Sequence, residues 1–141
     1  MPATSHRGLR WAFLDRDGTI NAKPLRGGYV TTPAQLHLLD GAADAIRRLN
    51  EAGIWVGIIT NQRGIALGRM TSADLDAVHD RLLSRLASAR AHVDGVYVCP
   101  HQQGTCDCRK PLPGLLLRAQ QDVGGMDFGQ AVVIGDSRSD I

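Results

Sequence analysis

The sequence predicts an α/β fold in which helices cover both faces of an open, doubly wound parallel sheet. Short apolar runs that are partly β-branched recur along the chain, and segments with helical periodicity separate them. Polar and acidic residues come directly after these runs, at the strand ends where such folds bind ligands. The 141 residues are 43% hydrophobic, which suits a single packed domain spanning residues 1–141.

The apolar runs predict four strands, over residues 11–14, 54–59, 96–98 and 131–134. Helical spacing predicts three helices, over residues 41–52, 72–90 and 113–123. Gly53 is a stop signal for the first helix, Thr71 and Asp74 resemble a capping pair for the second, and Pro113 opens the third. The intervals after the first and second strands are too short for a separate cap domain, so we expect an open site.

Composition excludes several classes of function. A formal charge of +2 with 4% aromatic residues does not predict a nucleic-acid partner. Residues 1–10 are polar, and no apolar run approaches the roughly 18 residues that span a bilayer. Three cysteines within ten residues do not form a disulfide framework. These features predict a cytoplasmic monomer without a membrane or nucleic-acid partner.

The first predicted strand ends in Asp15-Arg16-Asp17-Gly18, where a glycine turn can fold Asp17 back over Asp15. One carboxylate can then attack a phosphorus atom while the other moves a proton. Side-chain alternation along the strand predicts that Arg16 points away from both. The same four residues also suit a plain polar turn, so the interpretation depends on which residues stand at the ends of the other strands.

Each of the other strand ends carries residues suited to a phosphate. Thr60 and Asn61 offer a hydroxyl and an amide. Lys110 adds a compact positive charge, and the guanidinium of Arg109 can form two parallel hydrogen bonds with a phosphate or a sugar. A phosphate ester needs positive charge at its oxygens, and Mg²⁺ binds through one or two carboxylates. Asp15 and Asp136 are the candidate Mg²⁺ ligands, and we expect Asp140 next to these ligands without direct contact with the metal.

A compact loop gathers four soft ligands. Cys99, His101, Cys106 and Cys108 fit a closed tetrahedral Zn²⁺ site, which is typical of a structural metal. Such a site would fix the loop that carries Arg109 and Lys110. The alternative is a set of buried cysteines beside a surface histidine. We interpret the remaining histidines, His79 among them, as surface residues or as structural residues whose hydrogen bonds are satisfied.

These motifs, in this order, resemble the haloacid dehalogenase superfamily of phosphatases, and the resemblance spans nearly the whole chain. The Asp-Arg-Asp-Gly opening, the Thr60-Asn61-Gln62 run and the cysteine loop are similar to the branch of heptose 1,7-bisphosphate and histidinol-phosphate phosphatases. The resemblance implies a Rossmann-like core without a cap, and the same zinc loop.

The resemblance also implies residue roles. Asp15 is the nucleophile that forms an aspartyl-phosphate, and Asp17 protonates the leaving alcohol, activates water and lends its backbone carbonyl to Mg²⁺. Thr60 and Lys110 stabilise the phosphoryl group. The implied substrate is a small phosphorylated sugar. The first candidate is a heptose 1,7-bisphosphate, from which the enzyme removes the 7-phosphate. The implied contacts with it lie at Tyr29, Thr60, Asn61, Gln62, Arg63, Arg109 and Lys110. For the segment that contains Tyr29, the alternative is a flexible loop.

Two features depart from the resemblance. Arg63 stands where the branch carries a small residue, which bears on substrate choice. The chain stops at Ile141, where the family continues through a further helix and strand, so we expect a C-terminally truncated fragment with an uncovered sheet edge. The alternative is that a partner replaces the missing parts. Histidinol-phosphate hydrolysis and a non-catalytic zinc-loop scaffold are the alternative functions.

Overall fold

Four strands and three helices alternate along the chain. The computed structural model describes residues 8–24, 28–101, 106, 110 and 113–135. The strands are β1 (Trp11–Leu14), β2 (Trp55–Asn61), β3 (Gly95–Cys99) and β4 (Ala131–Ile134). The helices are α1 (Ala42–Glu51), α2 (Ser72–Ser88) and α3 (Gly114–Val123). Each predicted strand and helix is therefore confirmed, with ends that differ by one or two residues.

The four strands form one parallel sheet in the order β3-β2-β1-β4. β1 lies between β2 and β4, with Phe13 in register with Gly57 on one side and Val133 on the other. The chain runs outward from β1 through β2 to β3 and then returns to the opposite side of β1. This reversal of strand order creates a crevice at the carboxyl end of β1, where ligands bind in such sheets.

Helices cover both faces of the sheet, as a doubly wound fold requires. On one face, Ile46 of α1 and Leu82 of α2 pack with Ile58 of β2 in a buried cluster. On the other face, Leu115 of α3 packs with Phe13 of β1. Burying each of these large apolar side chains stabilises the fold by about 1.5–3 kcal/mol. The sheet, with β1 at its centre, is consequently a rigid base for the residues at its edge.

The helix ends are set by local chemistry. The Thr71 hydroxyl accepts from the amide of Asp74, and the Asp74 carboxylate accepts from the amide of Thr71. This capping box satisfies two of the unpaired donors at the start of α2. Gly53 comes after α1 with φ of +77°, a left-handed conformation that favours glycine. Both predicted boundary signals are confirmed.

No inserted domain covers the carboxyl edge of the sheet within the described residues. Between β1 and α1 the described chain contains a single 3-10 turn, Pro33–Gln35, and between β2 and α2 it contains turns only. The predicted capless core is thus confirmed for the part of the chain that the structure describes. Within the same part, every helix is too short or too polar to cross a bilayer.

Candidate active site

The turn after β1 brings two carboxylates to the edge of the sheet. Asp15 extends the pairing of β1 with β4, because its amide donates to the carbonyl of Ile134 at 2.9 Å. Gly18 then adopts φ of +85°, and the amide of Ile20 donates back to the carbonyl of Arg16 at 2.8 Å. The chain consequently reverses within a few residues, so Asp17 stays beside the strand end that holds Asp15.

Asp15 forms a buried ion pair with Lys110. Lys110 Nζ donates to Asp15 Oδ1 at 2.8 Å, and the two side chains are only 7% and 13% exposed. Buried charges cost free energy unless they are paired, so each holds the other in place. The ammonium group of Lys110 therefore lies directly beside the carboxylate that is predicted to attack phosphorus.

Asn61, at the end of β2, fixes the main chain of Lys110. Its Oδ1 accepts from the Lys110 amide at 3.0 Å, and its Nδ2 donates to the Lys110 carbonyl at 3.4 Å. The sequence predicts that Asn61 orients the substrate. The structure shows both ends of its amide engaged with the main chain of Lys110. The contact of Asn61 with the substrate stays a prediction.

Thr60 and Gln62 form a buried polar pair next to Asp17. Gln62 Nε2 donates to Thr60 Oγ1 at 2.8 Å and lies 3.4 Å from Asp17 Oδ2. Because Thr60 Oγ1 accepts this bond, its own proton is available for an oxygen in the crevice. Gln62 Oε1 is buried without a partner among the described residues. The Thr60 hydroxyl can therefore donate to an oxyanion at this edge, whereas Gln62 Oε1 can only accept.

The structure corrects the expectation for Arg16. Its side chain does not point away from Asp17: Nε and Nη2 donate to Asp17 Oδ1 at 3.0 and 2.8 Å. The reason is that β1 ends at Leu14, so strand alternation no longer holds for Arg16 and Asp17, which lie in the turn that follows. Nη1 contacts Nε2 of His79 at 3.1 Å, and Nδ2 of Asn21 also donates to Asp17 Oδ1.

Sequence reasoning missed this network, although it left a signal. His79 lies on the apolar stripe of α2 with Leu75, Val78 and Leu82, all of which are buried. A histidine on such a stripe needs a polar partner in the core, and within the described part of the chain Arg16 provides one. The interpretation of His79 as a satisfied structural residue is confirmed, while the identity of its partner required the fold.

Tyr29 and Arg63 meet at the rim of the site. Arg63 Nε donates to the Tyr29 hydroxyl at 3.3 Å, and the Arg69 guanidinium lies 5.6 Å above the Tyr29 ring. Tyr29 packs against Gly64, where a Cβ would come within 3.1 Å of the ring. Tyr29 also lines a groove of about 490 Å³ together with Lys23 and His37. The structure thus brings two of the predicted substrate contacts together beside a cationic surface.

Three of the four predicted zinc ligands converge. Cys99 Sγ lies 3.4 Å from Cys106 Sγ and 3.7 Å from His101 Nδ1. In a tetrahedral Zn²⁺ site, bond lengths of about 2.3 Å to sulfur and 2.1 Å to nitrogen place such atoms roughly 3.6–3.8 Å apart. All three ligand atoms lie within 4.8 Å of one another, so the described residues fit this metal.

The zinc cluster is joined to the catalytic edge of the sheet. Cys99 is the last residue of β3, in register with Asn61 of β2. The carbonyl of Cys99 accepts from the amide of Gln62 at 2.7 Å. A metal bound by the thiolate of Cys99 would therefore fix the same strand ends that carry Asn61 and Gln62.

Several predicted site residues lie outside the described residues, namely Cys108, Arg109, Asp136 and Asp140. For Mg²⁺, the described part of the predicted ligand set is the carboxylate of Asp15 and the main chain of Asp17. Oxygen donors at the end of a strand match the preference of this cation. The described residues thus fit Mg²⁺ in chemistry, and Asp136 stays a prediction.

Comparison with known proteins agrees with this geometry. The family model of haloacid dehalogenase-like hydrolases matches residues 7–141. A D-glycero-beta-D-manno-heptose-1,7-bisphosphate 7-phosphatase of Yersinia pestis is 38% identical over 92% of this chain and 71% of its own length. A D-glycero-alpha-D-manno-heptose-1,7-bisphosphate 7-phosphatase of Mycobacterium bovis is 39% identical over 95% of this chain and 71% of its own.

A solved structure shares the fold. The crystal structure of D,D-heptose 1,7-bisphosphate phosphatase from B. bronchiseptica, complexed with magnesium and phosphate, superposes with a TM-score of 0.75 at 36% identity. The match covers 81% of this chain and 63% of the solved one. The chain therefore spans less than two thirds of that protein and somewhat more of the two relatives.

Proposed function

We propose, since the chain belongs to the haloacid dehalogenase-like hydrolases, that it is a Mg²⁺-dependent phosphatase removing the 7-phosphate of D-glycero-D-manno-heptose 1,7-bisphosphate. The observation that carries this proposal is the buried pair of Asp15 and Lys110, 2.8 Å apart at the carboxyl end of β1. The names of the two relatives supply the sugar. They differ in the anomer, so the proposal covers both.

Asp15 begins the reaction in this proposal. One of its carboxylate oxygens attacks phosphorus, in line with the leaving oxygen of the sugar. Lys110 contacts the same carboxylate and can follow it onto the phosphoryl group, which lowers the repulsion between the two anions. Asn61 keeps the lysine main chain at this position. Mg²⁺, held by Asp15, the Asp17 carbonyl and Asp136, would supply further positive charge at the phosphoryl oxygens.

Asp17 and Thr60 complete the proposed machinery. Asp17 gives a proton to the leaving oxygen and later takes one from water, which hydrolyses the aspartyl-phosphate. The Thr60 hydroxyl, whose oxygen already accepts from Gln62, points its proton at a phosphoryl oxygen. Arg109 completes the predicted phosphate contacts.

The zinc loop has a structural role in the proposal. Cys99, His101 and Cys106, with Cys108, would hold Zn²⁺ in a closed site that takes no part in the chemistry. Zinc thiolates suit a reducing compartment, so the cytoplasm stays our prediction, as do a monomeric state and a single domain.

Kinetics on competing substrates test the proposal. The values of kcat/KM for heptose 1,7-bisphosphate, in each anomer, and for histidinol phosphate are compared with Mg²⁺ and with EDTA. We expect the bisphosphate to be preferred and EDTA to abolish turnover. A preference for histidinol phosphate would replace the substrate assignment, and equal absence of turnover with Mg²⁺ and with EDTA would leave the scaffold function.

A further inference from the structure

We propose that Arg16 is a positioning residue, which fixes Asp17 so that its Oδ2 oxygen alone exchanges the proton with the leaving group and with water. This inference rests on the proposed phosphatase function and deepens it. It assigns a task to a buried arginine that lies between the two carboxylates in sequence. It also distinguishes the two oxygens of Asp17.

The hydrogen bonds of Asp17 are strongly asymmetric. Oδ1 accepts from Arg16 Nε at 3.0 Å, from Arg16 Nη2 at 2.8 Å and from Asn21 Nδ2 at 3.0 Å. Oδ2 has one described contact, with Gln62 Nε2 at 3.4 Å. A carboxylate oxygen that already accepts three donors is a poor site for a proton. The proton therefore belongs on Oδ2, and the side chain is 21% exposed toward the crevice.

Arg16 is held in place on its far side. Its side chain is fully buried, and a buried guanidinium requires both a counter-charge and acceptors. Asp17 provides the charge, and His79 Nε2 lies 3.1 Å from Nη1. Arginine only donates, so Nε2 must be the accepting nitrogen. Burial, followed by the charge of Arg16, lowers the pKa of His79 to about 4, which keeps the ring uncharged and able to accept.

The positions of these groups fix the order of proton movement. As an Asp15 oxygen forms its bond to phosphorus, the bond from phosphorus to the sugar oxygen breaks. The electron pair stays on that oxygen, which takes the proton from Asp17 Oδ2. In the second step Oδ2 takes a proton from water. The water oxygen binds phosphorus, the aspartyl bond breaks, and phosphate leaves with Asp15 and Asp17 restored.

Leaving groups of different basicity separate positioning from structure. An alkoxide needs a proton as it leaves, whereas p-nitrophenolate does not, so formation of the aspartyl-phosphate, the step that kcat/KM reports, depends on Asp17 for alkyl phosphates only. We expect Arg16→Met to lower kcat/KM about 100-fold for heptose bisphosphate and glycerol phosphate, and only a few-fold for p-nitrophenyl phosphate. Arg16→Lys, which keeps the charge without the fork, should fall between the wild type and Arg16→Met.

A pair of His79 variants and one variant of Leu82 provide the controls. His79→Leu removes the acceptor for Arg16, while His79→Gln can restore one, so His79→Leu alone should reduce the alkyl-to-aryl rate ratio. Leu82→Ala lies on the same stripe of α2 and should lower the melting temperature without a change in that ratio. The comparison of His79→Leu with His79→Gln and Leu82→Ala remains decisive if the Arg16 variants do not fold.

The outcomes distinguish the two proposals. An unchanged alkyl-to-aryl ratio in Arg16→Met, or in His79→Leu where Arg16→Met does not fold, overturns the positioning role. If the wild type hydrolyses glycerol phosphate but not heptose bisphosphate, the substrate assignment fails while the ratio still decides the role of Arg16. A wild type inactive on every phosphate ester overturns both.

Discussion

The side-chain amide of Asn61 spans the main chain of Lys110, accepting from its amide at 3.0 Å and donating to its carbonyl at 3.4 Å. The two residues are 49 positions apart in sequence. Through this contact the end of β2 fixes the lysine that pairs with Asp15. The position of the cation therefore depends on Asn61 as much as on the loop that carries Lys110.

Asn61→Ala should consequently lower kcat by about 100-fold, because a displacement of about 1 Å at a reacting centre has effects of that size. Asn50 offers a matched control, since its amide spans the main chain of His92 with bonds of 2.8 and 3.0 Å. We expect Asn50→Ala to lower the melting temperature to a similar extent while kcat is unchanged. Equal kcat in the two variants would contradict the role of Asn61.

Asp15→Asn should abolish turnover, because the amide removes the nucleophile. Asp17→Asn should instead lower turnover by about 10²–10⁴-fold, the usual contribution of general acid–base catalysis, and should leave a covalent aspartyl-phosphate that can be trapped with labelled substrate. The matched pair differs only in which carboxylate is lost. Normal turnover by Asp15→Asn would exclude the covalent mechanism.

Cys106→Ser should lower the melting temperature and reduce bound zinc from about one per chain, since a closed site contributes its binding energy to folding. A chelator should lower the melting temperature of the wild type and leave that of Cys106→Ser unchanged. If elemental analysis finds no zinc in the wild type, or if the chelator affects both proteins equally, the structural metal is wrong.

Arg63→Ser should raise KM for the bisphosphate about tenfold and leave KM for a monophosphate unchanged, because an exposed guanidinium beside Tyr29 is placed for a second anionic group. Arg48 on α1 is exposed and pairs with Asp44, so Arg48→Ser serves as the control for loss of charge alone. Identical shifts in KM for the two substrates would mean that Arg63 does not bind the second phosphate.

Local signals were sufficient to predict the fold. The alternation of apolar runs with helical spacing indicated each strand and helix, and Thr71 with Asp74 marked the start of α2. These features depend on neighbours in sequence, so a single chain carries them. The proximity of Lys110 to Asp15 was also predictable, because the connection from β3 to α3 leaves the sheet at the carboxyl edge where β1 also ends.

The details of the site depended on the turn after β1. Side-chain alternation holds only as long as the strand continues, and β1 ends at Leu14. Arg16 therefore lies with Asp17 and His79, a partner 63 residues away. Likewise, the sequence predicts Asn61 only as a substrate ligand. Its contact with the main chain of Lys110 could not be predicted, because it exists only after the loop has folded.

His79 also makes stability depend on pH. Its pKa falls from 6.5 to about 4 on folding, chiefly by burial and then by the charge of Arg16, with Asp17 opposing. Between these pH values the unfolded chain binds more protons than the folded one. The contribution of His79 to the free energy of unfolding is therefore complete above pH 6.5 and is lost as the pH falls toward 4.

At pH 5 this loss is about 2 kcal/mol relative to neutral pH. His79→Gln keeps an acceptor for Arg16 but does not titrate, so its free energy of unfolding should fall less between about pH 7.5 and about pH 5 than that of the wild type. Urea unfolding at the two pH values measures the difference, and the comparison cancels acid effects on the zinc ligands, which both proteins share. Parallel losses in the two proteins would show that His79 does not carry the acid sensitivity.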